Sequence, residues 1–240
     1  VNKYKNLKLY KIDNFRSIAY INNNYMSKSE YDKLEYPYNI EALLKYTIVN
    51  KNIKSNYITN INKIDKNQIN FSNFKYKLED STYVLRFNKT TKIEYKTNTN
   101  LNNKLLFIRF DMVKSNPCSE GDTYIIINNI KNKLTCKEWK YHNLNYKFDY
   151  VVMNNLDKLD IIFSKGTYKI KDINIYTLDY SDIISYNKNI KDINITNKGD
   201  CIYSNVYSNG NEYLNVTIPY DNGFIVKINN RKVMYEKIND

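Results

Sequence analysis

Three aromatic side chains lie close together in one polar stretch of the sequence, WKYHNLNYK. Trp139, Tyr141 and Tyr146 are so near in sequence that a single loop can hold all three. Partly exposed aromatic rings can form a platform on which a sugar ring stacks, because they offer apolar area with little conformational freedom. We therefore predict that these residues are ligand-binding and that the ligand is a glycan. The alternative is a tryptophan half-buried at the edge of a sheet.

Three acidic residues are candidates for a metal site. Asp111, Glu120 and Asp122 lie within one short region, and the last two flank Gly121. Sandwich domains often hold a calcium ion in acidic loops through hard oxygen ligands. Local hydrogen bonding in turns explains the same residue types. We expect no cofactor, with a structural calcium ion as the alternative.

The sequence offers no evident catalytic constellation. Its single histidine, His142, would have to serve any Ser-His-Asp or Cys-His system, and no serine lies in a nucleophile-elbow motif. Five glycines in 240 residues make a Gly-rich phosphate loop improbable. Two carboxylates that converge across a cleft would suit glycan hydrolysis, and spacing alone does not exclude them. We expect no catalytic residue in this chain.

The cysteines are too few and too scattered for a disulfide scaffold. Cys118, Cys136 and Cys201 give an odd count without a C-x-x-C motif, and a zinc site is disfavoured because there is only one histidine. A single bridge between Cys118 and Cys136 is sterically possible. Free thiols are the alternative.

The chain is strongly basic, with a formal net charge of +12. Such a charge attracts polyanions and anionic surfaces through its summed field. The lysines are spread along the chain, and no motif for single-stranded nucleic acid accompanies the aromatic residues. We expect no specific nucleic-acid partner, and an anionic cell-wall polymer or membrane surface instead.

The elements that must position these residues are mostly strands. From 75 to 180, about eight short alternating runs are separated by turn residues, with Asn128-Asn129 and Lys165-Gly166 at hairpin tips. Strands at this spacing without helices predict a mainly β fold, an antiparallel sandwich like a jelly roll or a carbohydrate-binding module.

The flanking segments predict a smaller second β-unit with short helices. Residues 1–74 supply strands and a capping box, Ser27-x-x-Glu30, with Pro37 between two short helices. Residues 181–240 supply a helical linker, which we expect Ser181 to cap, and β-hairpins. We expect the sandwich to be inserted into this second unit.

The C-terminal segment YLNVTIPYDNGFIVKINNRKV predicts a hairpin with a tight turn at 221–223. A second turn begins at Asn229-Asn230. Pro219 cannot donate to a ladder, so it belongs at an edge or a strand end.

The stretch IPYDNGFIVKINNRKV (218–233) resembles a signature segment of the YfhO family of bacterial polytopic membrane proteins, IPYDKGW-x-V-x-V-[DN]-G-K-K-V. The runs KLDIIFSKGTYKIKDINIYTLDY (158–180) and YIIINNIKNKLTC (124–136) are similar to further strands of that family, and LKLYKIDNFRSIAYI (7–21) to its first strand. Phe224 stands where the family usually has Trp, and Asn229-Asn230 stands where it has Asp-Gly.

The resemblance implies a C-terminal extracellular domain of a membrane-embedded glycosyltransferase of the GT-C type, linked to teichoic-acid decoration in the Gram-positive cell envelope. It implies that transmembrane helices absent from this chain anchor the domain on the extracellular face, and that catalytic residues lie elsewhere in the parent protein. We then expect the chain to stop inside the second β-unit, with a last strand that is unpaired or completed by a neighbour.

Three functions fit these observations. The first is a non-catalytic domain that binds or positions a glycan or teichoic-acid acceptor for the parent protein. The second is an adhesin or structural ectodomain, and the third is a glycan-active enzyme. A cleft with two convergent acids would favour the enzyme, whereas shallow grooves alone would favour the adhesin.

Overall fold

The computed structural model describes residues 2–4, 7–9, 17–65, 75–96 and 99–239. The chain divides into two compact units, which we call unit 1 (Val1–Ile58 with Ile184–Asp240) and unit 2 (Thr59–Ile183). The chain is mainly β, with several antiparallel sheets and three helices in the part described, and this confirms the predicted fold class.

Short strands make up most of the regular structure. In chain order they are β1 (Asn2–Tyr4), β2 (Leu7–Leu9), β3 (Ala19–Asn22), β4 (Tyr25–Ser27), β5 (Thr47–Val49), β6 (Asn62–Lys63), β7 (Tyr76–Glu79), β8 (Thr82–Phe87), β9 (Thr91–Lys96), β10 (Lys104–Met112), β11 (Thr123–Ile127), β12 (Ile130–Leu134), β13 (Lys147–Asn154), β14 (Lys158–Phe163), β15 (Gly166–Asp179), β16 (Ile190–Ile193), β17 (Thr196–Lys198), β18 (Cys201–Tyr203), β19 (Tyr213–Val216), β20 (Val226–Ile228) and β21 (Arg231–Val233). The helices are α1 (Lys28–Tyr31), α2 (Tyr38–Lys45) and α3 (Tyr180–Lys188), with a 3-10 turn at Cys118–Glu120.

Unit 2 consists of two antiparallel sheets that pack face to face. The larger sheet has the order β13-β10-β15-β8-β7, with β6 paired to β15, and the smaller has the order β12-β11-β14-β9. Asn128 and Asn129 both have positive φ at the tip between β11 and β12, as their types predict. Because β6 joins the larger sheet, unit 2 begins before residue 75.

The core of unit 2 is a single apolar cluster that both sheets supply. Alternate residues of β10 and β13 point inward, and Phe148 and Tyr150 are completely buried there. The Tyr150 hydroxyl donates to the Ile125 carbonyl at 2.9 Å, which satisfies its polar atom inside the core. An apolar cavity of about 70 Å³ remains between the sheets.

Unit 1 contains small sheets. A three-stranded antiparallel sheet has the order β16-β3-β19, so its central strand comes from the N-terminal part and its edges from the C-terminal part of the chain. The pairs β1–β2, β17–β18 and β20–β21 are antiparallel, and β4–β5 is parallel. Ala19, Ile21 and Ile193 form one small buried cluster, to which Ile195 and Val206 add partly buried area.

The two short N-terminal helices begin as the sequence predicts. The Ser27 hydroxyl accepts a hydrogen bond from the Glu30 N–H at 3.2 Å and caps α1. Helix α2 follows Pro37 and ends before Thr47, which is the first residue of β5. Helix α3 begins at Tyr180, so Ser181 lies in its first turn and does not cap it.

A buried polar network lies around α2. The Glu41 carboxylate is fully buried and forms an ion pair with Lys45 at 2.8 Å, one helical turn away. It also accepts hydrogen bonds from the Tyr57 hydroxyl at 2.7 Å and the Tyr186 hydroxyl at 2.9 Å. Lys45 donates to the Ile58 carbonyl at 2.7 Å. The network therefore ties α2 to two other segments of unit 1.

The predicted hairpin around 221–223 is not formed. β19 pairs with β3 and β20 pairs with β21, whose turn is Asn229–Asn230, where both residues have positive φ. Thr217 continues the β3 pairing by donating its N–H to the Ile18 carbonyl at 2.8 Å, and Pro219 then ends the strand because it has no N–H. Within the described residues, β21 pairs only with β20.

Across the described ranges, no helix combines the length and the apolar character that crossing a bilayer requires.

Candidate functional site

The predicted aromatic site lies in the loop of residues 135–146, which connects β12 to β13 in unit 2. We call it the aromatic loop. A disulfide bond between Cys118 and Cys136 fixes its start, with a Cα–Cα distance of 4.8 Å. The Cys118 N–H also donates to Glu138 at 2.7 Å, and Lys137 donates its N–H to the Asn116 carbonyl at 2.8 Å. The loop is therefore bonded to the 3-10 turn on the neighbouring connection.

Asparagine side chains fix the rest of the loop. The Asn143 side chain accepts from the Thr135 N–H at 3.2 Å and donates to the Lys133 carbonyl at 2.8 Å. The Asn145 amide donates to the same carbonyl at 3.1 Å. Side chains that bond to nearby backbone groups replace the ladder hydrogen bonds that an irregular segment lacks. The aromatic loop thus has a defined backbone although it contains no regular element.

Trp139 and Tyr141 form the exposed part of this site. Their ring centroids are 6.5 Å apart at an interplanar angle of 66°, and their side chains are 55% and 72% exposed. The Lys140 ammonium lies 5.6 Å from the Tyr141 ring centroid. An edge-to-face pair leaves ring faces open to solvent, so a sugar can stack on them beside a positive charge.

Tyr146 belongs to a second aromatic pair. Its ring stacks on His142 at a centroid distance of 5.8 Å. His142 accepts the Leu144 N–H at Nδ1 (3.0 Å), so the neutral ring carries its proton on Nε2, which donates to the buried Ser115 hydroxyl at 3.3 Å. Both ring nitrogens therefore have structural partners. The three predicted aromatic residues form two adjoining pairs and no single flat platform.

An open groove of about 390 Å³ adjoins Tyr146. Its lining residues come from β10, β13, β15 and the adjoining loops: Asp111, Met112, Val113, Tyr146, Lys147 and Lys171. Asp111 lies directly opposite Lys147 on one neighbouring strand and opposite Lys171 on the other. Residues in register share one face of a sheet. The groove therefore presents two lysines with one carboxylate between them, and Tyr146 connects it to the aromatic loop.

The structure does not bring the three predicted metal ligands together. Asp122 forms an ion pair with Lys133 at 2.7 Å and accepts the Cys136 N–H at 2.9 Å. The hydrogen bond from Lys133 holds the pKa of this carboxyl below its ordinary value. Glu120 ends the 3-10 turn, and Asp111 lies in the groove. Over the ranges that the structure describes, no three His, Cys, Asp or Glu side chains form a group that could hold a metal ion.

Lys147 and Lys171 were not identified from the sequence. Each is an ordinary polar residue in an alternating strand, and the chain has 37 basic residues. Their significance depends on the strand order β13-β10-β15, in which β10 pairs with two strands that are distant in sequence. The usable signal was Asp111, which lies within the strand-like run KLLFIRFDMV. The partners of its strand were not predictable from spacing.

Comparison with curated proteins gives no match. Among solved structures, the plu4264 protein from Photorhabdus luminescens is similar over 55% of this chain and 97% of its own, at 11% identity and a TM-score of 0.19. So low a TM-score supports no conclusion about fold or function.

The family comparison covers the entire sequence. The model of the family described as bacterial membrane protein YfhO matches residues 1–240, and this confirms the resemblance carried by the segments 158–180 and 218–233. The chain belongs to the YfhO family of bacterial membrane proteins.

Proposed function

We propose that this chain is a non-catalytic extracellular domain that binds a phosphate-bearing cell-envelope glycan, such as a teichoic-acid acceptor. In this role it positions the acceptor for a membrane-embedded glycosyltransferase in the same protein. The proposal is carried by one observation: the exposed Trp139–Tyr141 pair lies on a loop whose last residue, Tyr146, lines a groove with two lysines.

The chemistry of the two parts is complementary. Exposed ring faces suit the apolar face of a sugar, whereas the ammonium groups of Lys147 and Lys171 suit a phosphate. A repeating polymer of sugar and phosphate offers both groups at short intervals. The net charge of +12 adds long-range attraction for such a polymer.

The disulfide bond supports an extracellular position. Disulfides persist outside the reducing cytosol, and the Cys118–Cys136 bond fixes the same loop that carries the aromatic pair. The oxidised loop is therefore the form that we expect to meet the ligand.

A binding role is also favoured by the hydrogen bonds that His142 makes. Its two ring nitrogens are bonded to the Leu144 N–H and the Ser115 hydroxyl, so it has no free nitrogen to act as a general base. Asp111 is the single acid among the described residues that line the groove, whereas glycan hydrolysis ordinarily uses two carboxylates.

The test is calorimetric titration of the chain with a glycerol-phosphate oligomer that carries sugar substituents. The aromatic variant Trp139→Ala/Tyr141→Ala removes stacking and should weaken binding about thirtyfold, since each of the two stacked rings contributes about 1 kcal/mol. The groove variant Lys147→Gln/Lys171→Gln should weaken binding and flatten its salt dependence.

The control is Lys89→Gln/Lys165→Gln, two exposed lysines elsewhere in unit 2 with the same change in charge. If this control weakens binding as much as the groove variant does, diffuse charge explains the affinity and the site is wrong. An unsubstituted glycerol-phosphate oligomer separates the parts, because the aromatic variant should bind it as the unaltered chain does. Release of free sugar by the chain, lost in Asp111→Asn, would instead identify an enzyme.

A further inference from the structure

One stretch of unit 1 exposes every residue from 216 to 232. We call residues 216–232 the exposed segment. Seven of its seventeen residues are large and apolar: Val216, Ile218, Tyr220, Phe224, Ile225, Val226 and Ile228. Single exposed apolar side chains are ordinary, but a concentration of them in one stretch marks an interaction surface.

The exposed segment is fixed at both ends although its middle is not packed. Thr217 donates its N–H and its hydroxyl to the Ile18 carbonyl, at 2.8 and 3.0 Å. Beyond the segment, Asn239 exchanges hydrogen bonds with the Ile48 backbone at 2.8 and 3.1 Å. Hydrogen bonds to the rest of unit 1 therefore hold the chain both at the start of the exposed segment and beyond its end.

A tyrosine after the segment holds its first turn. The Tyr235 hydroxyl lies 2.9 Å from the Asp221 carbonyl and 3.0 Å from that of Phe224. Its ring lies 5.8 Å from that of Tyr220. The exposed side chains are thus displayed on an ordered turn and hairpin.

The hairpin β20–β21 has one mostly apolar face and one basic face. Val226 lies opposite Val233 and Ile228 opposite Arg231 on the first face, whereas Lys227 lies opposite Lys232 on the second. Like charges opposite each other in a sheet are destabilising. Among the described residues, the ion pairs include neither Lys227 nor Lys232, so neither lysine has an acidic partner there. An anionic surface outside the chain would supply one.

We propose that the exposed segment docks on an anionic lipid bilayer. Val226, Ile225 and Ile228 enter the interface, and Tyr220 and Phe224 lie at headgroup depth, where aromatic rings are favoured. Lys227, Arg231 and Lys232 reach the lipid phosphates, and long basic side chains bend toward headgroups while their stems cover apolar area.

Lipid is favoured over a second copy of the chain by charge. The segment carries three basic residues and one acidic residue, Asp221, and the chain as a whole is at +12, so two copies repel each other. Membership of a membrane-protein family places a bilayer within reach of the intact protein. The docking does not depend on glycan binding.

The test uses the complete chain with phosphatidylcholine vesicles, with and without phosphatidylglycerol at about a third of the lipid, in a sedimentation assay at low salt. The apolar variant Ile225→Ser/Ile228→Ser and the basic variant Lys227→Gln/Lys232→Gln should each weaken binding to the anionic vesicles at least about tenfold. Both variants change exposed side chains, and hydrogen exchange elsewhere in unit 1 should remain unchanged.

Matched controls lie in unit 2. Ile130→Ser/Leu156→Ser removes the same kind of exposed apolar area, and Lys89→Gln/Lys165→Gln removes the same charge. Both controls should bind anionic vesicles as the unaltered chain does. The variant Phe224→Trp in a Trp139→Phe background reports whether position 224 enters the bilayer. Its tryptophan emission should shift to the blue with anionic vesicles and should not shift with phosphatidylcholine vesicles.

Three results would overturn the proposal. Equal loss of binding in the basic control would show that diffuse charge is responsible. Absence of vesicle binding at low salt would exclude lipid. If the apolar variant abolished self-association of the chain and left vesicle binding intact, the exposed segment would be a contact between copies. The groove variant Lys147→Gln/Lys171→Gln separates the two proposals, because its loss of glycan binding should leave vesicle binding unchanged.

Discussion

Units 1 and 2 are both rich in strands but differ in how they use apolar residues. Unit 2 buries nineteen apolar residues in one cluster that two facing sheets share. In unit 1, two of the buried clusters contain three residues each, around Ile21 and around Met26. Unit 1 also buries an ion pair, Glu41–Lys45, and leaves the segment 216–232 exposed.

This difference shows that an alternating sequence does not determine how deeply the apolar side chains of a strand are buried. The strand residues Val226 and Ile228 alternate with a lysine just as Phe148 and Tyr150 alternate with Asp149, yet the first pair is exposed and the second is buried. A strand gains apolar burial only where another element, a sheet or a helix, faces it. Unit 2 has a second sheet over its core.

The largest expected effect is in the core of unit 2. Phe148→Ala should lower the free energy of unfolding by about 4 kcal/mol, because its neighbours cannot close the space that the ring leaves. Met26→Ala in unit 1 should cost only about 2 kcal/mol, since a small cluster relaxes more easily. Trp139 is the only tryptophan, so its fluorescence during urea unfolding follows unit 2, and hydrogen exchange follows unit 1. Equal losses of unfolding free energy in Phe148→Ala and Met26→Ala would contradict the difference in packing between the two units.

The next largest effect should come from the buried ion pair of unit 1. Glu41→Gln leaves Lys45 buried without its counter-charge and should cost about 3 kcal/mol. The matched control is Asp32→Asn, which removes the exposed Lys28–Asp32 pair and should cost less than about 0.5 kcal/mol. Hydrogen exchange in α2 is the measurement. A Glu41→Gln cost as small as that of the control would mean that the network does not stabilise unit 1.

Removal of the disulfide should have a somewhat smaller effect and should act on unit 2 alone. Cys118→Ser/Cys136→Ser opens a loop of 18 residues and should cost about 2 to 3 kcal/mol, mainly by freeing the unfolded chain. A reductant should destabilise the original chain by the same amount and leave this variant unchanged. Cys201→Ser, which changes an exposed free thiol in unit 1, should have no effect on unfolding.

The smallest expected effect is a fall in the free energy of unfolding at acidic pH, which each unit should show separately. The pKa of Asp122 in unit 2 is lowered by Lys133, and that of Glu30 in unit 1 by the N–H and hydroxyl of Ser55. A lowered folded pKa stabilises the chain above the unfolded pKa of about 4, and the stabilisation is lost as the pH falls through the folded value. For the partly exposed Asp122 pair this amounts to less than about 1 kcal/mol.

Urea unfolding from about pH 2 to about pH 6 would test this dependence. Asp122→Asn should flatten the pH profile of unit 2, and Glu30→Gln should flatten that of unit 1. An unchanged slope in both variants would show that other carboxylates cause the acid sensitivity.

The sequence predicts local structure well where the signal is local. The N-cap at Ser27, the turns at Asn128-Asn129 and Asn229-Asn230 and the alternation of β13 are confirmed, because each depends on neighbours within a few residues. The other half of the predicted capping box is not seen, because the Glu30 carboxylate accepts hydrogen bonds from Ser55 instead. The predicted hairpin at 221–223 is wrong for a non-local reason, since β19 pairs with the distant strand β3 while β20 pairs with β21.

The candidate site was predictable only in part. The aromatic residues of the loop were visible as a cluster in the sequence. The groove beside them was not, because Lys147 and Lys171 meet across β10 only after three distant strands have paired. The acids predicted as metal ligands were selected by spacing, and Asp122 is instead paired with Lys133 on the adjacent strand.

The division of unit 1 into two separated stretches of sequence has a consequence for synthesis. Unit 2 is one continuous stretch and can fold as soon as residue 183 has been made. The contact of Ser17 with Asp192, by contrast, joins residues 175 positions apart. At roughly 5 to 20 residues per second the N-terminal strand waits roughly 10 to 35 seconds for its partners. Throughout that interval the edges of β3 are unpaired, so this strand is where a nascent chain most needs a chaperone.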